Sequence, residues 1–237
     1  MNTELVKKRF AKSIKTYDEN AFVQKAMAEK LKTMLIPKPY RKVLEIGCGT
    51  GFLTKIVSND LDFENYIAND LVEDCKSCIN EINPKIKFVS GDIKEILKNS
   101  NQTFDLIISN AALQWVVNYE EFFNLLLKKL NPSGTLLFST FGKKNFIEIY
   151  ETTGISLNYP SKEELKNIFR NYTCKIEEEL EILSFNSALD VLKHIKYTGV
   201  NCLSTSTWTK SNLKDFEEKY KKPVTLTYNP VYVSVQK

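Results

Sequence analysis

The sequence predicts an α/β fold, and three observations carry that expectation. Five short runs of near-continuous apolar character, KVLEIGC, NYIAND, IKFVSGD, FDLIISNA and GTLLFST, recur from residue 42 onward. Helical stretches separate them, and strands that are apolar on both faces belong to a parallel sheet covered on both sides by helices. A glycine-rich turn, GCGTG, follows the first run, at the point where a doubly wound sheet presents its strand ends to a ligand.

Ahead of the sheet, the first forty residues read as helices. Phe22, Ala26, Ala28, Leu31 and Leu35 form an apolar face until Pro37 and Pro39 end the pattern. Between the strands, helices are predicted over 51–59, 73–82 and 119–130. The last carries Phe122, Phe123, Leu126, Leu127 and Leu130 at helical spacing, a core stripe, before NPSG supplies a stop and a turn. Residues 145–222 read as mostly helical, although CKIEEELEILSF has the composition of a strand. The chain closes with VTLTYNPVYVSVQK, two β-rich runs broken by Asn229 and Pro230, which predict a terminal hairpin and an antiparallel end to the sheet.

At 237 residues, 43% hydrophobic and 26% charged, the chain has enough apolar material for one substantial core, and a single domain over 1–237 is expected. No apolar run approaches the ~20 residues that cross a bilayer, and MNTELVKKRFAKSIKTYDEN lacks the pattern of a signal peptide. A cytoplasmic monomer without membrane contact is expected. Cys48, Cys75, Cys78, Cys174 and Cys202 are odd in number, which favours reduced thiols over a disulfide framework. CKSC has no second ligand pair and the lone His194 is distant in sequence, so the pair reads as two small side chains on one helix face and no metal is expected. The net charge of +4 is too small to indicate nucleic-acid binding. Basic residues do gather at Lys7, Lys8, Arg9, Lys12 and Lys15, at Lys143 and Lys144, and at Lys219, Lys221 and Lys222. Each group is either a solvated face or a landing surface for an acidic macromolecule.

In the GCGTG turn, Gly47 and Gly49 permit backbone angles closed to other residues and let a ligand lie against the main chain. Gly51 then opens a helix whose free N–H groups favour a carboxylate or phosphate. Nineteen residues later Asp70 ends the second strand, where an acid accepts ribose hydroxyls. Together they specify an adenosine-type ligand. The dinucleotide fingerprint is GxGxxG, whereas this chain has GxGxG with Phe52 in the final glycine's place, so a nicotinamide dehydrogenase is the runner-up.

Preceded by Glu45, the E-x-G-x-G-x-G pattern resembles the first motif of class I S-adenosylmethionine-dependent methyltransferases. Later segments follow the same resemblance in order: SGDI, FDLIISNAALQW and LNPSGTLLFS. It implies a Rossmann-like, mostly parallel seven-stranded sheet with an antiparallel terminal hairpin and a helical lid. The division would be 1–40 as helices covering the active site, 41–144 as the cofactor-binding core, 145–222 as lid and substrate region, and 223–237 as the hairpin. It also implies that Asp92 bonds the adenine amine beside Leu71 and Ile93, and that Asn110 faces the methyl-transfer site. Alternatives stay open for single residues. Asp92 is either an adenine ligand or a cap on the following helix. Glu45 either faces the cofactor's ammonium through water or neutralises a local cation, and Asn110 either faces the site or bonds only backbone.

Four peripheral segments narrow the substrate. RFAKSIKTYDENAFVQKAMAEKL, SNAALQW, HIKYTGVN and LTYNPVYVSVQK resemble the malonyl-[acyl-carrier protein] O-methyltransferases of biotin synthesis. That resemblance implies methyl transfer from S-adenosyl-L-methionine to the free carboxylate of a malonyl thioester on an acyl carrier protein, hiding a charge that fatty-acid elongation rejects. It assigns Tyr17 to closure over the cofactor near the reacting carboxylate, Trp115 to a wall of the substrate chamber and Gln114 to a polar contact. Lys143 or Lys144 would hold the malonyl group, where the resemblance implies an arginine and a lysine offers a point charge instead of a fork. A carboxylate with pKa near ~4 is already ionised at neutral pH, so no general base is needed and His194 reads as structural. Two rivals remain: a methyltransferase of a free small carboxylic acid, and a cofactor-binding protein without catalysis.

Overall fold

The computed structural model describes residues 3–199, 209–220 and 223–237. Val200 and Asn201 of the TGVN motif, Cys202, Lys221 and Lys222 lie outside the described residues. Two helices come first, α1 (Thr3–Asn20) and α2 (Phe22–Thr33). The parallel half then runs β1 (Lys42–Ile46), α3 (Phe52–Ser58), β2 (Asn65–Asp70), α4 (Cys75–Ile82), β3 (Lys87–Ser90), α5 (Ile93–Lys98) and β4 (Phe104–Ser109). A 3-10 turn over Leu113–Trp115 and α6 (Tyr119–Lys129) lead into β5 (Leu130–Phe141). After α7 (Ile147–Thr153) and α8 (Lys162–Ile168) come β6 (Thr173–Glu178), β7 (Glu181–Phe185), α9 (Ala188–Tyr197), α10 (Lys210–Lys219), β8 (Val224–Tyr228) and β9 (Pro230–Gln236).

Seven strands form one sheet in the order β3-β2-β1-β4-β5-β9-β6, parallel from β3 to β5, with β9 antiparallel to both of its neighbours. The continuous apolar runs follow from burial on both faces. Val43, Leu106 and Ile108 pack with Met27, Leu31 and Val57, whereas Leu44, Ile46 and Ile107 pack with Phe122, Phe123 and Leu126. Successive side chains along a strand enter opposite layers, so both parities must be apolar.

Helix α6 starts where Asn118 accepts the Glu121 N–H at 3.2 Å, with Glu120 and Glu121 in its first turn and Lys128 and Lys129 in its last, both favourable to the helix dipole. The NPSG segment does stop α6, but it lies inside β5 as a bulge. Pairing jumps from Phe104–Leu130 to Leu106–Thr135, and Ser133 takes a φ of +60°.

Three expectations need correction. The apolar face of α2 is Val23, Met27, Ala28 and Leu31, while Phe22 and Ala26 point outward. Phe22 instead lies against the His194 ring, 5.3 Å between centroids, which sets the helix one residue away from the face read in the sequence. The segment CKIEEELEILSF is divided between β6 and β7, which belong to different sheets, so 145–222 is less helical than expected. The terminal runs are both strands, but they do not pair with each other: β8 pairs with β7 in a separate two-stranded sheet, and β9 inserts between β5 and β6. A single residue, Asn229, separates them, too few for the two-residue loop of a tight hairpin. Asn229 pins the crossing by accepting the Gly142 and Lys144 N–H groups and donating to Glu178 and Glu179.

Candidate active site

The first strand ends in a loop that only glycine allows. Gly47, Gly49 and Gly51 have φ of +68°, +53° and +85°. A Cβ on Gly47 would lie 2.3 Å from the Ala112 Cβ, so the loop and the turn after β4 touch backbone to side chain with no room between them. The Phe10 ring of α1 lies against Gly49, 3.2 Å from where a Cβ on that glycine would stand. Gly51 has a different task. It caps α3, its missing Cβ makes room for Ile82 and Ile79 of α4, and it is set back from the cavity wall.

Two buried carboxyls back the loop. Asp70 accepts the Gly49 N–H at 2.9 Å through one oxygen and the Val72 N–H at 2.9 Å through the other, fixing the loop to the end of β2. Burial raises its pKa, opposed by these backbone donors. Glu45 is 1% exposed and accepts the hydroxyls of Thr54 at 2.7 Å and Tyr66 at 2.6 Å on the same oxygen. Burial pushes its pKa up to about 7, and no cation is among its partners.

The floor is the turn after β4. Asn110 donates to the Gln24 carbonyl at 2.9 Å and accepts the Ser139 hydroxyl at 2.7 Å, joining α2 to β4 and β5, so its bonds are not confined to backbone. Ser139 also accepts the Ala111 N–H at 3.0 Å, which holds Ala111 at a φ of +48°, a region that costs a non-glycine residue energy. Gln114 donates to the Ala111 carbonyl at 2.6 Å, and Trp115 packs partly buried beside the core.

Helix α1 forms the roof. Tyr17 meets Phe10 edge-on, with ring centroids 5.2 Å apart, and its hydroxyl pKa is raised by burial and by the nearby Asp18 and Asp70. Thr50 in the glycine loop donates to Asp18 at 2.7 Å, tying roof to loop. The partly open cavity has a volume of ≈ 520 Å³. Tyr17 of α1, Glu45, Gly47 and Gly49 at the end of β1, Asp70 and Leu71 at the end of β2, Asp92 and Ile93 after β3, and Asn110, Gln114 and Trp115 after β4 all line it. Asp92 also caps α5, accepting the Lys94 N–H at 2.9 Å, and capping does not remove it from the cavity wall.

Lys143 and Lys144 are not brought there. Lys143 pairs with Glu164 at 3.5 Å beyond β5, and neither lysine lines the cavity. His194 is buried away from it, bonded to the Tyr228 hydroxyl at 2.8 Å and depressed to a pKa of about 4 by burial. Among the described residues, no three His, Cys, Asp or Glu side chains are grouped to hold a metal. Phe10, Gln24, Asp18 and Ser139 are site residues that the sequence reading did not single out. The spacing of Phe10 and Tyr17, seven apart on one helical face, was the signal available for the first. Ser139 gave none, because its partners are distant in sequence.

The comparisons with known proteins agree with this geometry. A family model described as a methyltransferase domain matches residues 17–179. The curated relative named Malonyl-[acyl-carrier protein] O-methyltransferase from Bacteroides thetaiotaomicron is 38% identical over 260 aligned positions, covering 100% of this chain and 99% of that protein. The relative of the same name from Chlorobium luteolum is 37% identical, covering 98% and 95%. Among solved structures, the S-adenosylmethionine dependent methyltransferase from Mesorhizobium loti matches with a TM-score of 0.54 and 16% identity, covering 88% of this chain and 96% of that one. The plantazolicin methyltransferase in complex with SAH matches with a TM-score of 0.55 and 16% identity, covering 99% and 95%. A class I methyltransferase sheet, a glycine loop roofed by α1, and relatives matched end to end lead to one placement: the chain belongs to the S-adenosylmethionine-dependent methyltransferases, in the family of the malonyl-[acyl-carrier protein] O-methyltransferases.

Proposed function

We propose that this enzyme transfers a methyl group from S-adenosylmethionine to the free carboxylate of a malonyl group held as a thioester on an acyl carrier protein, an early step toward the pimeloyl chain of biotin. The observation that carries this reading is the extent of the similarity. Relatives named for that activity match 98–100% of the chain, including α1 over the chamber and the end of α9, from which Thr198 and Gly199 reach it. Bound S-adenosylmethionine supplies an electrophilic methyl group on a sulfonium.

The residues present fit that cofactor. Gly47 and Gly49 bring main chain to the cavity wall, and the Asp70 carboxylate, held by the Gly49, Leu71 and Val72 N–H groups, keeps lone pairs for ribose hydroxyls. Asp92, with Leu71 and Ile93 beside it, suits an adenine with its exocyclic amine. Glu45, buried without a cation, suits the ammonium end. A carboxylate substrate arrives ionised, so proton abstraction is unnecessary, in keeping with a neutral His194 outside the chamber. Tyr17, Trp115 and Gln114 would shape and dry the chamber, and rate would come from alignment and exclusion of water. Asn110, with its amide already engaged at both ends, serves to hold α2 over the floor.

The test is transfer of labelled methyl from S-adenosylmethionine to malonyl-carrier protein, free small acids, or neither. Label in ester on the carrier is the expected result. Label on a free acid alone would replace the substrate, and cofactor binding without transfer would replace the activity.

A further inference from the structure

We propose that the outer face of α1 is the docking surface for an acidic helix of the carrier protein, a proposal that rests on the carboxyl-methylation reading above. Helix α1 has two unlike faces. Val6, Phe10, Ser13 and Tyr17, at spacings of four, three and four, turn inward, with Val6 and Ser13 buried and Phe10 and Tyr17 on the chamber. Lys8, Lys12 and Lys15, at spacings of four and three, form a stripe on the opposite face and are all exposed. Lys7 stands between the faces, exposed and at the rim of the chamber.

This stripe carries charge that the fold leaves unpaired. On other elements some lysines pair with acids, as Lys30 with Glu177, Lys32 with Asp60, Lys94 with Glu121 and Lys219 with Glu151, and others such as Lys55 and Lys128 stand exposed without a salt bridge among the described residues, but on separate helices. Lys7, Lys8, Lys12 and Lys15 have no ion-pair partner among the described residues; of the acids on α1, Asp18 is engaged by Thr50, and Glu4 and Glu19 stand exposed four residues outside either end of the stripe. Like charges at the Lys8, Lys12 and Lys15 spacings cost the helix stability, set against Glu4 and Glu19 at i,i+4 from its two ends, and leave three positive charges against solvent in the middle of the face.

Geometry identifies the partner. A chamber of ≈ 520 Å³ admits an acyl group and its arm but no folded protein, so a carrier must rest outside, against the roof. An acidic helix laid along the lysine stripe meets complementary charge there and brings its arm to the rim at Lys7. A membrane is a poorer fit, because the apolar face of α1 that would enter lipid is turned toward the chamber.

The experiment compares the wild type with a triple charge reversal, Lys8→Glu, Lys12→Glu and Lys15→Glu, on two substrates: malonyl-carrier protein and the malonyl thioester of N-acetylcysteamine. Carrier affinity is read separately by fluorescence anisotropy, and S-adenosylhomocysteine affinity by calorimetry. The expected result is a rise of about tenfold or more in KM and Kd for the carrier, with the short thioester and S-adenosylhomocysteine changed by less than about twofold. A control reversal at Lys55 and Lys128, exposed on other helices, should leave both substrates unchanged. Equal carrier KM in wild type and triple variant, or equal loss on both substrates, overturns the surface while leaving the methylation reading in place. Carrier binding that the triple variant loses, in a wild type that transfers no label, overturns the methylation reading and leaves the surface. Retention of the wild type on anionic phospholipid vesicles, lost in the triple variant while carrier binding persists, reassigns the stripe to a membrane and overturns the proposal.

Discussion

Glu45 holds its proton far above the range of an ordinary carboxyl, and that makes it a pH-dependent element of stability. Its pKa rises from 4.5 to about 7 because burial outweighs the hydroxyls of Tyr66 and Thr54 that favour the ion. Between those values the unfolded chain has released the proton and the folded chain keeps it, so stability falls as pH rises. The contribution is fully present below the unfolded value and is lost through about 7, with a span of roughly 3 kcal/mol. Glu45→Gln, which cannot ionise, removes that slope: the Tm of wild type minus that of the variant should decline steadily from about pH 5 to about pH 7.5. A flat difference would contradict the buried acid. His194 has the opposite sign, since burial lowers its pKa from 6.5 to about 4. Its contribution is present above the unfolded value and lost as pH falls toward the folded one, so His194→Gln should flatten the acid limb of a Tm profile, and an unchanged limb would contradict it. At Asp70, both oxygens tie the glycine loop to β2 as well as facing the chamber. Asp70→Ala should therefore weaken S-adenosylhomocysteine by at least about tenfold in calorimetry, and unaltered affinity would move the ribose elsewhere. Residues such as Glu45, Gly49 and Asp70 were legible because a strand-loop-helix unit places them by local order alone. Ser139 against Asn110 and Asp18 against Thr50 were not, because those bonds join positions that only the finished fold brings together.

At the level of elements, α1 is a roof that rests on the glycine loop and on the end of α9, where Thr16 donates to the Tyr197 carbonyl at 3.3 Å. Thr50 to Asp18 fixes its C-terminal end to the glycine loop, and Phe10 lies against Gly49. The bond is exposed, so its net worth is on the order of 1 kcal/mol, too little to unfold the protein but enough to change how often the roof lifts. Thr50→Val should speed amide hydrogen exchange in α1 several-fold while leaving β1 and β4 unaltered, and equal rates across α1 would show that the remaining contacts hold it. The same level is where sequence reading slipped. The strand character of both terminal runs was visible in their β-branched and aromatic residues, but which sheet each joins was not, because partner choice depends on the one-residue connection at Asn229 and on β6 being available. The face of α2 was misread by one position because Phe22, apolar in the sequence, is taken up by a local stack with His194.

Across the whole molecule, a modest net charge of +4 hides an uneven distribution. Most of the paired lysines are matched on the spot, so their fields cancel within a few ångströms, whereas the α1 lysines project into solvent together beside the chamber. The order of strands and helices was readable because each parallel strand must be apolar on both faces, but no pattern in the sequence says which basic group stays unpaired. That became visible only when the neighbours of each lysine were known. The consequence is a dependence on ionic strength that a neutral active site would lack. Screening lengths shorten from ~30 Å at 0.01 M to ~10 Å at 0.1 M salt, so attraction between α1 and an acidic carrier should fade over that interval. The kcat/KM for malonyl-carrier protein should therefore drop by about tenfold or more as salt rises, mainly through KM. The short malonyl thioester, which reaches the chamber without resting on α1, should respond weakly over the same interval. Parallel salt curves for the two substrates would mean that charge acts inside the chamber and that the outer face of α1 contributes nothing to encounter.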